Sequence, residues 1–383
     1  MQLAGIYIHI PFCKQACLYC NFHFTTSLRR KNEFVDALLK EIDLISPGSP
    51  LPYLKKEERI ETIYFGGGTP SLLNIEELEI ILRKIKNEFD VEADGEITLE
   101  TNPDDISEER LLGWKKIGIN RLSIGVQSFF DNDLLWMNRA HNAEQAINNL
   151  LLATKHFFNI TVDLIYGTPT LTNEKCRQNV ERAIDLGIPH LSCYALTVEP
   201  KTPLKILIRE GKFSDVDAER QSEQFLLLMD WLEKAGYEHY EISNFSKPGF
   251  RSKHNSSYWS GKHYLGLGPS AHSYNGHSRQ WNVSNNNVYI ESIKKGIRPF
   301  EKEKLSPTDK LNEYIMTSLR TIEGTDLNKL QEIIRHDLIH KSKKYIELQL
   351  MVDENNFLKL TKKGKLYADG IAADLFFTGA VSA

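Results

Sequence analysis

Short apolar runs alternate with amphipathic stretches along the chain, a pattern that predicts strand and helix in turn. Residues 6–10 (IYIHI) read as a short buried strand. Residues 33–45 read as a helix with Phe34, Leu38, Ile42 and Ile45 on one stripe. The stretch 46–58 holds three prolines and a glycine and reads as a surface connection. Further strands are predicted over 62–65, 96–100, 121–126, 160–165 and 190–197. Helices are predicted over 76–89 (Leu78, Ile81, Leu82 and Ile85 inward), 107–117, 131–139, 143–156, 173–186 and 216–235. Gly118 and Gly187 stop two of them. Six consecutive βα units imply right-handed crossovers and a parallel sheet. A closed barrel needs eight such units. A doubly wound sheet usually carries G-x-G-x-x-G in its first turn, and that fingerprint is absent. The expected fold is therefore α/β, an open (β/α)6 partial barrel spanning 1–236.

The pattern changes after that point. Residues 237–304 are rich in Asn, Ser, Gly, His and Tyr with few helical stripes, and are expected to be loop-rich. Residues 305–383 return to order, with helices near 309–321, 326–335 and 341–350. A hairpin over 351–360 turns at Asn355–Asn356, and a last helix follows. That order resembles a small winged-helix-like α+β domain. Charge argues against DNA as its ligand, because residues 307–377 carry 11 Lys/Arg and 11 Asp/Glu. The whole chain is equally balanced: 383 residues, Lys+Arg 47 against Asp+Glu 51, a net charge of -4. Hydrophobic residues at 41% suffice for a sizeable core. No run of about 18 apolar residues occurs and the N-terminus does not read as a signal peptide, so a cytoplasmic location is expected.

Five cysteines are too few for a disulfide scaffold, yet Cys13, Cys17 and Cys20 form C-x3-C-x2-C directly after the first strand. In parallel barrels the loops after strand C-termini build the active site. Three thiolates on one tight loop can hold three irons of a [4Fe–4S] cluster and leave the fourth open. The competing reading is a zinc site with His23 as fourth ligand (C-x3-C-x2-C-x2-H), although no second knuckle exists. Cys176 and Cys193 read as structural. Four of the 12 histidines, His254, His263, His272 and His277, fall within 24 residues, but their spacings match no familiar metal knuckle.

The segment from Tyr7 through Cys13, Cys17 and Cys20 to Phe22 resembles the HemN/HemW branch of the radical SAM superfamily, and the likeness extends over nearly the whole chain. HemN, the oxygen-independent coproporphyrinogen III dehydrogenase, has a further cysteine where this chain has Phe22. His254-Asn255-Ser-Ser-Tyr258-Trp259 resembles the HNxxYW motif of HemW haem chaperones. The resemblance implies a radical-SAM core whose cluster, bound by Cys13, Cys17 and Cys20, chelates S-adenosylmethionine (SAM) and cleaves it to a 5′-deoxyadenosyl radical. It carries over Tyr7, Gly67, Gly68 and Thr69 as SAM contacts, with Glu100 for the ribose or ammonium group. Gln127, Arg139, Asp163 and Ala195 would line a second SAM position, with Arg139 the expected partner of a buried Asp163 and His272 a loose further match. Phe22 joins the expected cofactor contacts, and His254, Tyr258 and Trp259 are expected at haem. The implied function is haem delivery to apo-haem proteins, including membrane-bound respiratory proteins met from the water side, with an electron donor as further partner and no nucleic acid. The alternative is oxidative decarboxylation of coproporphyrinogen III.

Overall fold

Alternation of polar and apolar residues within each strand fixes the architecture of the computed structural model, which describes residues 3–50 and 52–379. Six strands run parallel in chain order: β1 (Leu3–Ile10), β2 (Arg59–Gly67), β3 (Val91–Thr101), β4 (Arg121–Gln127), β5 (Ile160–Tyr166) and β6 (His190–Ala195). One set of positions packs into the main core: Ile6, Ile8 and Ile10 of β1, Ile63 and Phe65 of β2, Leu122, Ile124 and Val126 of β4, Val162 and Leu164 of β5. Helix Lys31–Ile45 contributes Phe34, Leu38 and Ile42 to the same core. Each fully buried aliphatic side chain there contributes about 1.5–3 kcal/mol. The alternate positions carry Tyr7, Tyr64, Glu100, Ser123 and Asp163, which meet one another across the sheet's other face. A half-buried sheet has this period of two, whereas a sheet dry on both faces reads as a continuous apolar run. The concave face of this barrel is polar.

The segment 237–304, expected to be loop-rich, instead extends the sheet at both ends. It contains β7 (Glu238–Glu241), β8 (Asn244–Ser246), β9 (His263–Leu267), β10 (His272–Tyr274), β11 (Ser278–Asn282) and β12 (Phe300–Lys304), with helices Lys253–Trp259 and Asn286–Lys294. The full order is β12-β11-β10-β9-β1-β2-β3-β4-β5-β6-β8-β7, with β9 parallel to β1 and β8 antiparallel to β6. These strands have three to five residues, too few for a period to show; pairing with neighbours stabilises them. Helix Pro203–Arg209 also went unread, and helix 131–139 is shorter than expected, ending as Asp131–Trp136.

Residues after 305 gather around a second core that includes Leu311, Ile315, Leu338, Met351 and Leu358. The two helices expected over 326–335 and 341–350 are one, Glu332–Glu347, preceded by a 3-10 turn, Leu327–Lys329. Strands Met351–Glu354 and Phe357–Leu360 form the expected hairpin, and Thr325–Asp326 adds a third strand. Asn355 and Asn356 both lie in the left-handed region, the conformation a two-residue hairpin turn requires. Among the described residues no helix is long and apolar enough to cross a membrane.

Candidate functional site

The cysteine loop leaves the C-terminal end of β1 and is held by its backbone. Cys13 N–H donates to the Thr25 carbonyl (3.0 Å), and Thr25 N–H donates to that of Pro11 (2.9 Å). Leu18 N–H donates to the Met137 carbonyl (3.2 Å). Asn138, in the left-handed conformation, donates from Nδ2 to the Ala16 carbonyl (2.7 Å) and accepts Gln15 Nε2 (2.9 Å). Cys13, Cys17 and Cys20 form no disulfide. Burial pushes the Cys13 thiol up to about 12 and raises Cys20 as well, so both need a cationic partner to ionise near neutral pH.

The zinc alternative needs His23 beside the three thiols. His23 turns away to Asn286 Oδ1 (2.7 Å), and its carbonyl accepts His9 Nε2 (2.8 Å). Among the described residues no three His, Cys, Asp or Glu side chains surround a point where one metal ion could sit. A cluster places its own sulfides between the irons and so needs no such convergence.

The loop and the ends of the parallel strands enclose a cavity of about 450 Å³, inside the range of roughly 300–1,000 Å³ usual for small-molecule sites. Its lining includes Cys13, Cys17, Cys20, Phe22, Gly67, Gly68, Thr69, Glu100, Gln127, Arg139, Asp163 and Ala195. At Gly67 (φ +111) the backbone takes a conformation that favours glycine, and a side chain there would strike the His9 ring. Glu100 accepts the Tyr64 hydroxyl (2.8 Å) and Gly67 N–H (3.2 Å). Burial raises it to about 7, an effect that Asp163 adds to and the Tyr64 bond reduces. Asp163 is likewise raised to about 6 by burial. Two half-buried carboxylates with raised pKa values on one cavity lining suit a cationic ligand.

Arg139 does not form the expected ion pair with Asp163. It sits just past the helix that places it and donates to Cys17 Sγ (3.2 Å), Asn102 Oδ1 (2.7 Å) and the Gly125 carbonyl (2.7 Å). Asp163 is served by the Ser123 and Ser192 hydroxyls instead. Serines that alternate with apolar residues in β4 and β6 were the available sign. Tyr19, Asn102 and Tyr194 also line the cavity and were missed. Asn102, one residue past β3, bridges Thr69 Oγ1 (3.2 Å) and Arg139.

Tyr7, His254, Tyr258 and Trp259 lie off the cavity lining. Tyr7 packs beneath it, its hydroxyl 3.1 Å from His9 Nδ1. The residues expected at haem are engaged by other side chains. His254 is 1% exposed, with Nδ1 at Thr62 Oγ1 (2.8 Å) and Nε2 at the Tyr258 hydroxyl (2.9 Å), so neither ring nitrogen is free for iron. The Tyr258 ring packs edge-on against Tyr264, and the Arg320 guanidinium covers Trp259. The histidines of this segment disperse: His263 meets Glu58, and Lys310 Nζ lies 3.1 Å from His277 Nδ1. His272 stands in β10 beside Trp281, off the lining. Cys176 and Cys193 are buried in the main core.

Residues 7–183 match the Radical SAM superfamily. Over 377 residues the chain is 34% identical to the heme chaperone HemW of Bacillus subtilis (strain 168), covering 96% of this chain and 98% of that protein. It is 31% identical over 391 residues to the heme chaperone HemW of Haemophilus influenzae, covering 98% of each. The structure of coproporphyrinogen III oxidase (HemN) from Escherichia coli shares the fold, with a TM-score of 0.83 at 22% identity over 98% of this chain and 90% of that one.

Proposed function

The chain belongs to the HemW family, in the HemN/HemW branch of the radical SAM superfamily, and on that footing we propose that it binds haem and passes it to apo-haem proteins. The carrying observation is the likeness to proteins named heme chaperone HemW along nearly the full length of both chains. Phe22 supports it: where HemN has a further cysteine, this chain puts an apolar ring, 68% exposed, at the cavity. Such a ring suits the face of a planar macrocycle. The recipients proposed are apo-haem proteins of respiration.

Family membership implies a [4Fe–4S] cluster and SAM, and the residues fit both. Cys13, Cys17 and Cys20 would hold the cluster, and Gly67, Gly68, Thr69 and Glu100, on the same cavity lining, would hold SAM. When bound, the pair supplies one-electron reductive chemistry at the SAM sulfonium. The protein's own part is to orient and exclude water: Arg139 ties the cluster loop to β4, and Asn102 ties Arg139 to Thr69. Gln127, Arg139, Asp163 and Ala195, on the same lining, would be the contacts of a second SAM.

Glu100 makes SAM affinity pH-dependent. A cationic ligand binds its carboxylate form, and that form fills as pH rises through about 7. Affinity for SAM should therefore rise roughly tenfold from pH 6 to pH 7.5, with proton release, and Glu100→Gln should flatten the profile. A flat profile in the unaltered protein would remove Glu100 from the SAM site.

The functional test runs two assays on one anaerobically reconstituted sample. Haem titration should show saturable binding, followed by transfer of haem to a defined apo-haem protein. Coproporphyrinogen III with SAM and a reductant should give no multiple turnover. Many turnovers would overturn the chaperone reading in favour of the dehydrogenase.

A further inference from the structure

His254 occupies a made-to-measure space under the cavity floor. Its helix, Lys253–Trp259, begins against β3, where the buried Glu96 carboxylate accepts the N–H groups of Lys253 (3.1 Å) and His254 (3.0 Å). A carboxylate at a helix N-terminus is favourably placed. Gly5 of β1 leaves room for the imidazole: a Cβ there would lie 2.8 Å from Thr62 Oγ1 and 3.3 Å from the His254 ring. With both nitrogens engaged, the ring stacks on Tyr64 at 4.8 Å and 22°. Tyr7 flanks Tyr64 at 6.1 Å and 26°. A Cβ at Gly66 would strike Tyr64, Tyr7 and Glu100 at 2.9, 2.9 and 3.1 Å. The Tyr64 hydroxyl then donates to Glu100, the only side-chain donor to that carboxylate among the described residues.

We infer that His254 is a positioning residue for the SAM-facing carboxylate: it locks the Tyr64 ring, and Tyr64 aims Glu100. The inference rests on the reading that Glu100 contacts SAM. It accounts for why an imidazole with both nitrogens engaged is stacked against a tyrosine. Truncating the ring leaves a void of its own size against Tyr64, which frees Tyr64 to rotate off Glu100. An unaimed carboxylate then binds the cationic ligand less well, while the cluster loop, anchored elsewhere, is untouched.

The test uses full-length, cluster-loaded protein, with SAM as the probe in equilibrium dialysis and iron content measured alongside. His254→Ala should weaken SAM binding about tenfold with iron unchanged, and Tyr64→Phe, which removes only the hydroxyl, should do the same. The double variant should be no weaker than either single one, because both act through one bond. His254→Phe, which keeps a stacked ring, should restore affinity to within about threefold despite lower thermal stability. Additive losses, or unchanged affinity in Tyr64→Phe, overturn the inference. If His254→Ala does not fold, Tyr64→Phe and His254→Phe carry the test: weaker binding in the first and near-normal binding in the second is the expected pair. Unchanged SAM affinity in Glu100→Gln would overturn the site reading itself; weakening there with none in His254→Ala would overturn the positioning role alone.

Discussion

Cys17→Ala is expected to lose its iron while keeping its fold. The anaerobically reconstituted protein should hold about four irons and four sulfides per chain, and the variant fewer than about one. Cys17 is the thiol to choose because most ties of the loop around it run through backbone and amide groups, with Arg139 the one that uses its sulfur. Leu18, Ala16 and Gln15 are tied to Met137 and Asn138 through backbone and amide groups. Arg139 loses its contact with Cys17 Sγ but keeps Asn102 and the Gly125 carbonyl. Both of those bonds are made by Nη2, so Nη1 is left without its one partner, and the stability loss should be about 1–3 kcal/mol. Iron and sulfide analysis with the visible absorption band gives the measurement, and a melting curve shows that the fold survives. Cys176→Ala, in the buried core, is the control and should load iron fully. Full iron in Cys17→Ala would refute its role as a ligand.

Positions at strand ends were legible in the sequence because a βα unit has a fixed geometry. Once 6–10 and 62–65 read as strands, the residues after them had to meet at one rim, and Cys13, Gly67 and Gly68 do. Glu100 followed by the same rule, whereas Asp163, inside its strand, came from the family resemblance. What failed was whatever depended on partners far apart in sequence. The Asp163–Arg139 pair was inferred from charge alone, but short-range donors on neighbouring strands, Ser123 and Ser192, reached Asp163 first. His254 was expected at haem from the likeness of its HNxxYW segment to HemW, and residue type alone favoured a plain polar loop. Only the fold shows that its helix starts on Glu96 and turns the ring toward Thr62 and Tyr64. A subtler sign was available throughout. Tyr7 and His9 alternate with isoleucines, Ser123 with Leu122 and Ile124, and Asp163 with Val162 and Leu164. That period of two in parallel strands marks a polar concave face, and so a ligand chamber in place of a dry barrel.

Gly68→Ala should cripple SAM binding through space, not conformation. Gly68 does not adopt a positive φ, so alanine can take its backbone angles. Its environment is the obstacle: a Cβ would lie 2.5 Å from the Phe12 carbonyl oxygen and 2.9 Å from Phe12 C and N. Carbon–oxygen contacts sit near 3.3 Å or beyond, so something must move by roughly 0.8 Å. Neither side yields easily. Gly68 N–H donates to the Ile10 carbonyl (2.9 Å), and Thr69 N–H donates to that of Phe12 (2.6 Å), which crosslinks the two loops. Phe12 is 2% exposed and packs edge-on against Phe34, and the next residue is Cys13. The displacement is therefore shared between the cysteine loop and the Gly67–Thr69 turn, which together would hold the cluster and SAM. A misplacement of about 1 Å costs on the order of 100-fold in a preorganised site, so SAM affinity or the rate of SAM cleavage should fall by about that factor. Overpacking should also cost about 1–3 kcal/mol of stability. Gly48→Ala, where a Cβ meets nothing within 4 Å, should leave both unchanged. SAM binding in Gly68→Ala within about threefold of the unaltered protein would mean that the two loops are not rigidly coupled, and that the cavity tolerates what its close-packed backbone forbids.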